Sequence, residues 1–385
     1  MKIVADKNIP YVQACFSHLG EVELMAGREM TASRVGPAEI LLVRSVTKVN
    51  EALLANSRIQ FVATATIGVE HVDQAYLADR GIGFSSAPGS NANSVAEYVA
   101  ASLLTIAEKY ELALAGKSIG IVGVGNVGSR VAAKCAALGL EVVLNDPPLA
   151  RQTGDSKYRP LSEIMACDFV TMHTPLTYEG QDKSFHLAGE TLLSALKPGA
   201  VFMNSSRGGV HDTVALKECL ATGRLMAVGL DVWEGEPRVD TDLLQRADIV
   251  TPHIAGYSFD GKVAGLIMIY QAACQHLGIT PRHTASDFLP VPEVPDIRLS
   301  DFTGTEQQVL HQVVQQVYTI GRDDQSLREM IQVLKAEQGD FFDALRKNYP
   351  RRREFQNTRV LVDDPECQLA VTLAGIGFAI VVKQG

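Results

Sequence analysis

"IGIVGVGNVGSRVAAKCAALGLEVVLNDP", residues 119–147, is the stretch on which the fold turns. An apolar run ends in Gly123, Gly125 and Gly128, an alanine-rich helical segment follows, and a second apolar run ends in Asp146. The GxGxxG spacing alone is weak, because glycine is common. Between a strand and a helix, with an acidic residue closing the next strand, it fits a dinucleotide-binding unit better than a glycine-rich packing turn. The first glycine permits the tight turn, the second lets the backbone approach a pyrophosphate, and the third lets helix and strand pack closely. The helix N-terminus then offers free N–H groups to the phosphates. Asp146 can accept hydrogen bonds from the adenine ribose hydroxyls, and its charge repels a 2′-phosphate, so the expected cofactor is NAD.

The same rhythm extends in both directions. Upstream, "KIVAD", "ILLVRS", "QFVATATIG" and "GIGFSSA" are short apolar runs bounded by Gly, Ser, Asn or Pro and spaced by amphipathic pieces. That alternation predicts βα units with a parallel sheet. "APGSNANSVAEYVAASLLTIAEKYE" breaks the series; Ser94 and Glu97 have capping-box spacing ahead of a long helix, a suitable crossing between domains. Downstream of Lys117 the rhythm resumes through "EVVLNDP", "DFVTMHTP", "AVFMNSS", "AVGLDVW" and "DIVTPH". After Pro281 a proline-rich stretch, "FLPVPEVPDIRLS", reads as a linker. The tail beyond it shows helical spacing at Val309, Val313 and Val317 and at Leu327, Ile331 and Leu334, then strand-like runs.

Composition narrows the function classes. At 385 residues the chain has room for two or three domains, since single cores stop growing at about 250–300 residues. A formal charge of −9 gives no support to nucleic-acid binding. Six scattered cysteines without a CxxC pair argue against a metal site or a disulfide framework and fit a reducing cytoplasm. Asp6 falls before any long apolar run, so no secretory leader is expected. The run "LAVTLAGIGFAIVV" is too short to span a membrane and reads as core.

In open α/β sheets ligands bind beyond the carboxyl ends of the strands. Three successive strand-end loops carry Arg207 in "NSSRGGVHD", Glu236 in "GLDVWEGEP" and His253 in "TPHIAGYSFDGK". Each residue alone has a bland reading: a loop salt bridge, a solvated acid, a packed histidine behind a stiff proline. Together they suit hydride transfer from a 2-hydroxy acid. His253 would take the hydroxyl proton, Glu236 would fix its tautomer and favour the imidazolium, and Arg207 would grip the carboxylate and C2 oxygen.

GVGNVG with Asp146, "HTPLTYEG", "NSSRGG", "DVWEGEP" and "TPHIAG" occur in the order that resembles the D-2-hydroxyacid dehydrogenases, over roughly residues 1–285. The resemblance implies catalytic roles for Arg207, Glu236 and His253. It also implies cofactor contacts at Gly123, Gly125, Asn126, Val127, Gly128, Asp146, Thr174, Ser206, Arg207, Gly208, Asp231 and Gly256, and substrate contacts at Ser45, Thr66 and Gly68. The implied fold is α/β: two Rossmann-like, doubly wound parallel-sheet domains with a cleft that closes on substrate, plus a C-terminal α+β dimerisation domain. The expected limits are 1–93, completed by about 258–285, for the substrate-binding domain; 94–257 for the NAD-binding domain; and 286–385 for the dimerisation domain. A tail of this length resembles that of members acting on a phosphorylated small-molecule 2-hydroxy acid as homodimers, and neither nucleic acid nor membrane is an expected partner. Tyr257 departs from the wider family, which has small residues there; its phenol would either bind substrate or pack a hinge. Arg44 is the first candidate for the substrate phosphate. The run Arg346, Lys347, Arg351, Arg352 and Arg353 would be either a solvated face or an arm reaching the partner's cleft. Another acid, such as 3-phosphoglycerate, or a non-enzymatic NAD(H)-sensing role remain open at this level.

Overall fold

Each of the two principal sheets is all-parallel, and its strands alternate their side chains between two buried faces. The computed structural model describes residues 1–383, which divide into two compact units. Unit 1 holds Met1–Asn91 and Ser258–Pro290. Its strands are β1 (Lys2–Asp6), β2 (Glu21–Met25), β3 (Ile40–Val43), β4 (Phe61–Thr64) and β5 (Gly83–Ser85), in the order β2-β1-β3-β4-β5. Ile3, Ala5, Ile40, Leu42, Phe61 and Ala63 face one core, to which the helix Phe259–Leu277 adds Val263, Leu266 and Tyr270. Val4, Leu41, Val43 and Val62 face the other, with Val35, Leu54 and Leu77. Burial on both faces is why these strands read as continuous apolar runs. β2 escapes that pattern, because Glu21 and Glu23 lie on an edge strand where charge is tolerated.

Unit 2 holds Ala92–Tyr257 and the chain from Val291. Its large sheet comprises β6 (Ser118–Val122), β7 (Glu141–Asn145), β8 (Phe169–Met172), β9 (Ala200–Asn204), β10 (Leu225–Leu230) and β11 (Ile249–Val250). The order is β7-β6-β8-β9-β10-β11, so the winding reverses between β6 and β8. In sheets of this kind ligands bind at the carboxyl ends of the strands beside such a reversal.

The tail forms a small parallel sheet, β12 (Asp296–Arg298), β13 (Arg359–Val362) and β14 (Ala379–Val382), in that order. β12 lies inside the stretch read as a linker, immediately after its last proline. Residues 291–383 lie in the same compact unit as Ala92–Tyr257. Helix Glu306–Val317 buries Val309, Leu310, Val313 and Val314 in the same core as helix Ala92–Lys109 and strand β6. Gly375 lies so close to helix Asn126–Ala137 that a Cβ on it would be 2.5 Å from the Ala137 methyl. The helix Ile320–Arg328 ends before Leu334, which is 70% exposed.

Helix Ala92–Lys109 also begins earlier than the capping-box spacing implied, so Ser94 and Glu97 lie inside it and are buried. Their partners come from the tail: Ser94 Oγ donates to Glu354 at 2.7 Å, and Glu97 accepts from the Phe355 N–H at 2.9 Å. Among the described residues no helix is long and apolar enough to cross a membrane.

Candidate active site

Arg207, Glu236 and His253 follow β9, β10 and β11, three neighbouring strands of the unit 2 sheet. The Glu236 carboxylate meets His253 Nδ1 at 2.6 Å. Burial works to raise the Glu236 carboxyl, but the hydrogen bond from His253, the positive charges of His253 and Arg346, and the Trp233 N–H outweigh it, leaving Glu236 below the usual range. An ionised carboxylate only accepts, so Nδ1 is the donor of the pair, which leaves Nε2 as the ring nitrogen able to exchange a proton with substrate. The pair is therefore oriented for proton transfer at Nε2.

His253 has φ of 57°, in the left-handed region that non-glycine residues rarely enter. Such a backbone costs about 1–3 kcal/mol and persists where its surroundings over-determine it. Asp231, 1% exposed, supplies much of that constraint. Its carboxylate accepts from Thr251 Oγ1 at 2.6 Å, Ile254 N at 2.7 Å and Ala255 N at 3.0 Å, and its carbonyl accepts from His253 N at 2.7 Å. Asp231, expected against the cofactor, thus also braces the loop that carries His253. Trp233 ties the same loop from β10 through Nε1 to the Thr251 carbonyl at 3.0 Å.

Asn204, which sequence reading passed over, does the equivalent for Arg207. Its Oδ1 accepts from Ser206 N at 3.0 Å and Ser206 Oγ at 2.8 Å; its Nδ2 donates to the Arg207 carbonyl and to His211 Nδ1, both at 2.9 Å. Burial holds His211 neutral, down to about 4, so Nδ1 remains an acceptor. Gly208 lets this loop lie on the β10 loop, since a Cβ there would fall 1.9 Å from the Trp233 carbonyl oxygen. Arg207 Nη1 donates to the Ser206 carbonyl at 2.9 Å.

The glycine loop fits a dinucleotide. Gly123 has φ of 87° and abuts His173 across the β6–β8 reversal, where a Cβ would meet the His173 carbonyl oxygen at 2.7 Å. A Cβ on Gly128 would fall 1.9 Å from the Gly123 carbonyl oxygen. A Cβ on Gly125 would meet no protein atom within 4 Å, as expected of the glycine that admits a ligand rather than a neighbour. Asn126 and Val127 open the helix Asn126–Ala137. Asp146 follows β7, caps the next helix through Leu149 N at 3.0 Å and accepts from Val124 N at 2.8 Å, so it braces the loop with lone pairs to spare. Thr174 Oγ1 and Ser205 Oγ, beyond the adjacent β8 and β9, are buried without a protein partner. Ser205 had no signal in the spacing; only its orphaned hydroxyl distinguishes it. Gly256 lies half-buried in the His253 loop.

In unit 1, Arg44 and Ser45 follow β3, while Thr66 and Gly68 follow its neighbour β4. Thr66 Oγ1 lies 2.7 Å from Thr64 Oγ1 and donates to the Gly68 carbonyl at 3.1 Å. Tyr257 is packed by the tail of its own chain: the Tyr349 ring stands edge-on at 5.9 Å and Arg346 lies over its face at 5.6 Å. The basic run is not a solvated face throughout. Arg352 and Arg353 are 6% and 7% exposed, and Arg346 acts on Glu236 of the same chain.

Residues 93–255 match the family described as D-isomer specific 2-hydroxyacid dehydrogenase, NAD binding domain, and residues 288–377 match a domain of unknown function. The erythronate-4-phosphate dehydrogenase of Escherichia fergusonii is 46% identical over 380 residues, 98% of each chain. That of Cellvibrio japonicus is 48% identical over 365 residues, 94% of each. Among solved structures, the TT0316 protein of Thermus thermophilus superposes with a TM-score of 0.63 at 25% identity, covering 74% of this chain and 99% of that one. D-lactate dehydrogenase from Aquifex aeolicus, complexed with NAD and lactic acid, gives 0.58 at 24% identity over 72% and 96%, a likeness of fold. The chain belongs to the D-isomer-specific 2-hydroxyacid dehydrogenases, in the family of the erythronate-4-phosphate dehydrogenases, and is an NAD-dependent enzyme.

Proposed function

We propose that the chain oxidises 4-phospho-D-erythronate to (R)-3-hydroxy-2-oxo-4-phosphooxybutanoate, a step toward pyridoxal 5′-phosphate. The observation that carries this reading is the 2.6 Å Glu236–His253 pair, in a chain 46% identical over nearly its whole length to an erythronate-4-phosphate dehydrogenase. His253 Nε2 takes the C2 hydroxyl proton. Glu236 holds the imidazole in the accepting tautomer and stabilises the imidazolium that forms. Arg207 grips the carboxylate and the oxygen that becomes the carbonyl. NAD, held by Gly123 to Gly128, Asp146, Thr174, Ser206 to Gly208, Asp231 and Gly256, accepts the hydride from C2. Ser45, Thr66 and Tyr257 contact the substrate, and Arg44 meets its phosphate. The enzyme works in the cytoplasm as a homodimer built on the tail, which light scattering would test.

The activity test is NADH formation from NAD and 4-phospho-D-erythronate with a carbonyl trap present, because oxidation of a hydroxy acid is uphill. Parallel reactions hold 3-phosphoglycerate and D-lactate. Turnover of the four-carbon phosphate alone is expected. Turnover of another acid instead would refute the substrate assignment, and NADH binding without any turnover would favour a sensing role.

A further inference from the structure

The tail reaches the catalytic loop through one buried cation. Arg352 Nη2 donates to the Ala255 carbonyl and, at 3.4 Å, to the Ser94 carbonyl. Its guanidinium lies 4.2 Å from the centroid of the Tyr318 ring. Tyr318 and Tyr349 both donate to Asp323, at 3.0 and 2.8 Å, and the Asp323 charge acts on Arg352. This side chain is therefore gripped by the tail on one side and applied to the loop on the other. Ala255 is the residue whose N–H Asp231 already holds, two positions after the left-handed backbone of His253. The two carbonyls it joins lie just inside the points where the chain passes between units, after Asn91 and before Ser258.

We propose that Arg352 is a positioning residue of the reaction: it fixes the Ala255 carbonyl, and through that peptide the aim of the His253 imidazole. Asp231 and Arg352 hold opposite edges of the same short loop, one by its N–H groups and the other by a carbonyl. The planar guanidinium suits the place, because its rigid fork of donors holds the direction of its hydrogen bonds while its charge lies over an aromatic ring, whereas a Lys ammonium on a flexible stem fixes no such geometry. The tail is then part of the apparatus that orients the base. This inference rests on His253 being the acid/base of the proposed oxidation.

The test compares full-length Arg352→Ala, Arg352→Lys and Lys134→Met. Lys134 fastens the tail through a different bond, to the Ile376 carbonyl. Small misplacements of a reacting group cost up to about 100-fold in rate. We expect kcat of Arg352→Ala to fall at least about 10-fold while NADH affinity stays near wild type, with guanidinium at low millimolar concentration restoring part of it. Lys134→Met should lower Tm yet keep kcat near wild type. If Arg352→Ala does not fold, Arg352→Lys is judged by the same kcat criterion. Near-wild-type kcat in folded Arg352 variants, or equal kcat losses in the Arg352 and Lys134 variants, would overturn the proposal. Wild-type protein that binds NADH but oxidises no hydroxy acid would defeat the functional reading alone. The His253 imidazole NMR signal would then decide the positional claim: a shift in the Arg352 variant but not in Lys134→Met upholds it, and no shift refutes it.

Discussion

Gly125, which caps the helix Asn126–Ala137, and Gly128, in its first turn, stand three residues apart, and the structure gives them opposite reasons for lacking a side chain. A methyl on Gly128 collides with the Gly123 carbonyl, whereas a methyl on Gly125 meets no protein atom within 4 Å. Gly125→Ala should therefore fold with stability within about 0.5 kcal/mol of wild type yet bind NADH at least about tenfold more weakly, by calorimetry. Gly128→Ala should lose both stability and binding, and equal effects of the two changes would contradict the assignment. His253→Ala should lower kcat by about 10²–10⁴ with NADH affinity retained. Glu236 sits below its unfolded range, so its contribution to the pair is present above the unfolded carboxyl range and lost as pH falls through the depressed folded value. At this scale the Glu236–His253 contact and the close packing at Gly123 and Gly128 were legible, because these residue types carry chemistry that their neighbours in sequence expose. The left-handed φ of His253 was not legible, since a proline before it suggests stiffness and nothing about handedness.

At the scale of elements, the loops after β9, β10 and β11 are fastened to one another by buried polar groups. Asn204 satisfies four groups at once. Asn204→Ala should destabilise unit 2 by about 2–3 kcal/mol and lower kcat, as buried groups lose their partners; chemical denaturation with an activity assay would check both. The strands themselves were readable where burial on two faces made them continuously apolar. β2 and β12 were not, one for its edge glutamates and the other for the prolines before it. The start of helix Ala92–Lys109 was misplaced for a related reason. Ser94 and Glu97 have cap spacing, but their partners, Glu354 and Phe355, lie more than 250 residues away.

For the whole molecule, the tail is where local pattern carried least, because its meaning depends on what it packs against. A basic run reads as a solvated face until Arg352 and Arg353 are seen buried under it. Burial, and next the charge of Glu354, push the Glu97 carboxyl up to about 8. The native state thus keeps a proton that the unfolded chain releases, so stability should fall as pH rises from the ordinary carboxylate range to about 8. Glu97→Gln should match wild type in Tm near pH 4.5 and exceed it near pH 8.5. An unchanged difference across that range would show that the site is not protonated in the native state.

The central claim is that His253 and Glu236 drive hydride transfer from C2 of a phosphorylated hydroxy acid to NAD. The most direct measurement is a single turnover with 4-phospho-D-erythronate deuterated at C2, reading the reduced cofactor by mass spectrometry. Deuterium is expected on the nicotinamide with wild-type protein, and almost none with His253→Ala. Unlabelled NADH, or labelled cofactor formed equally well without the imidazole, would contradict it.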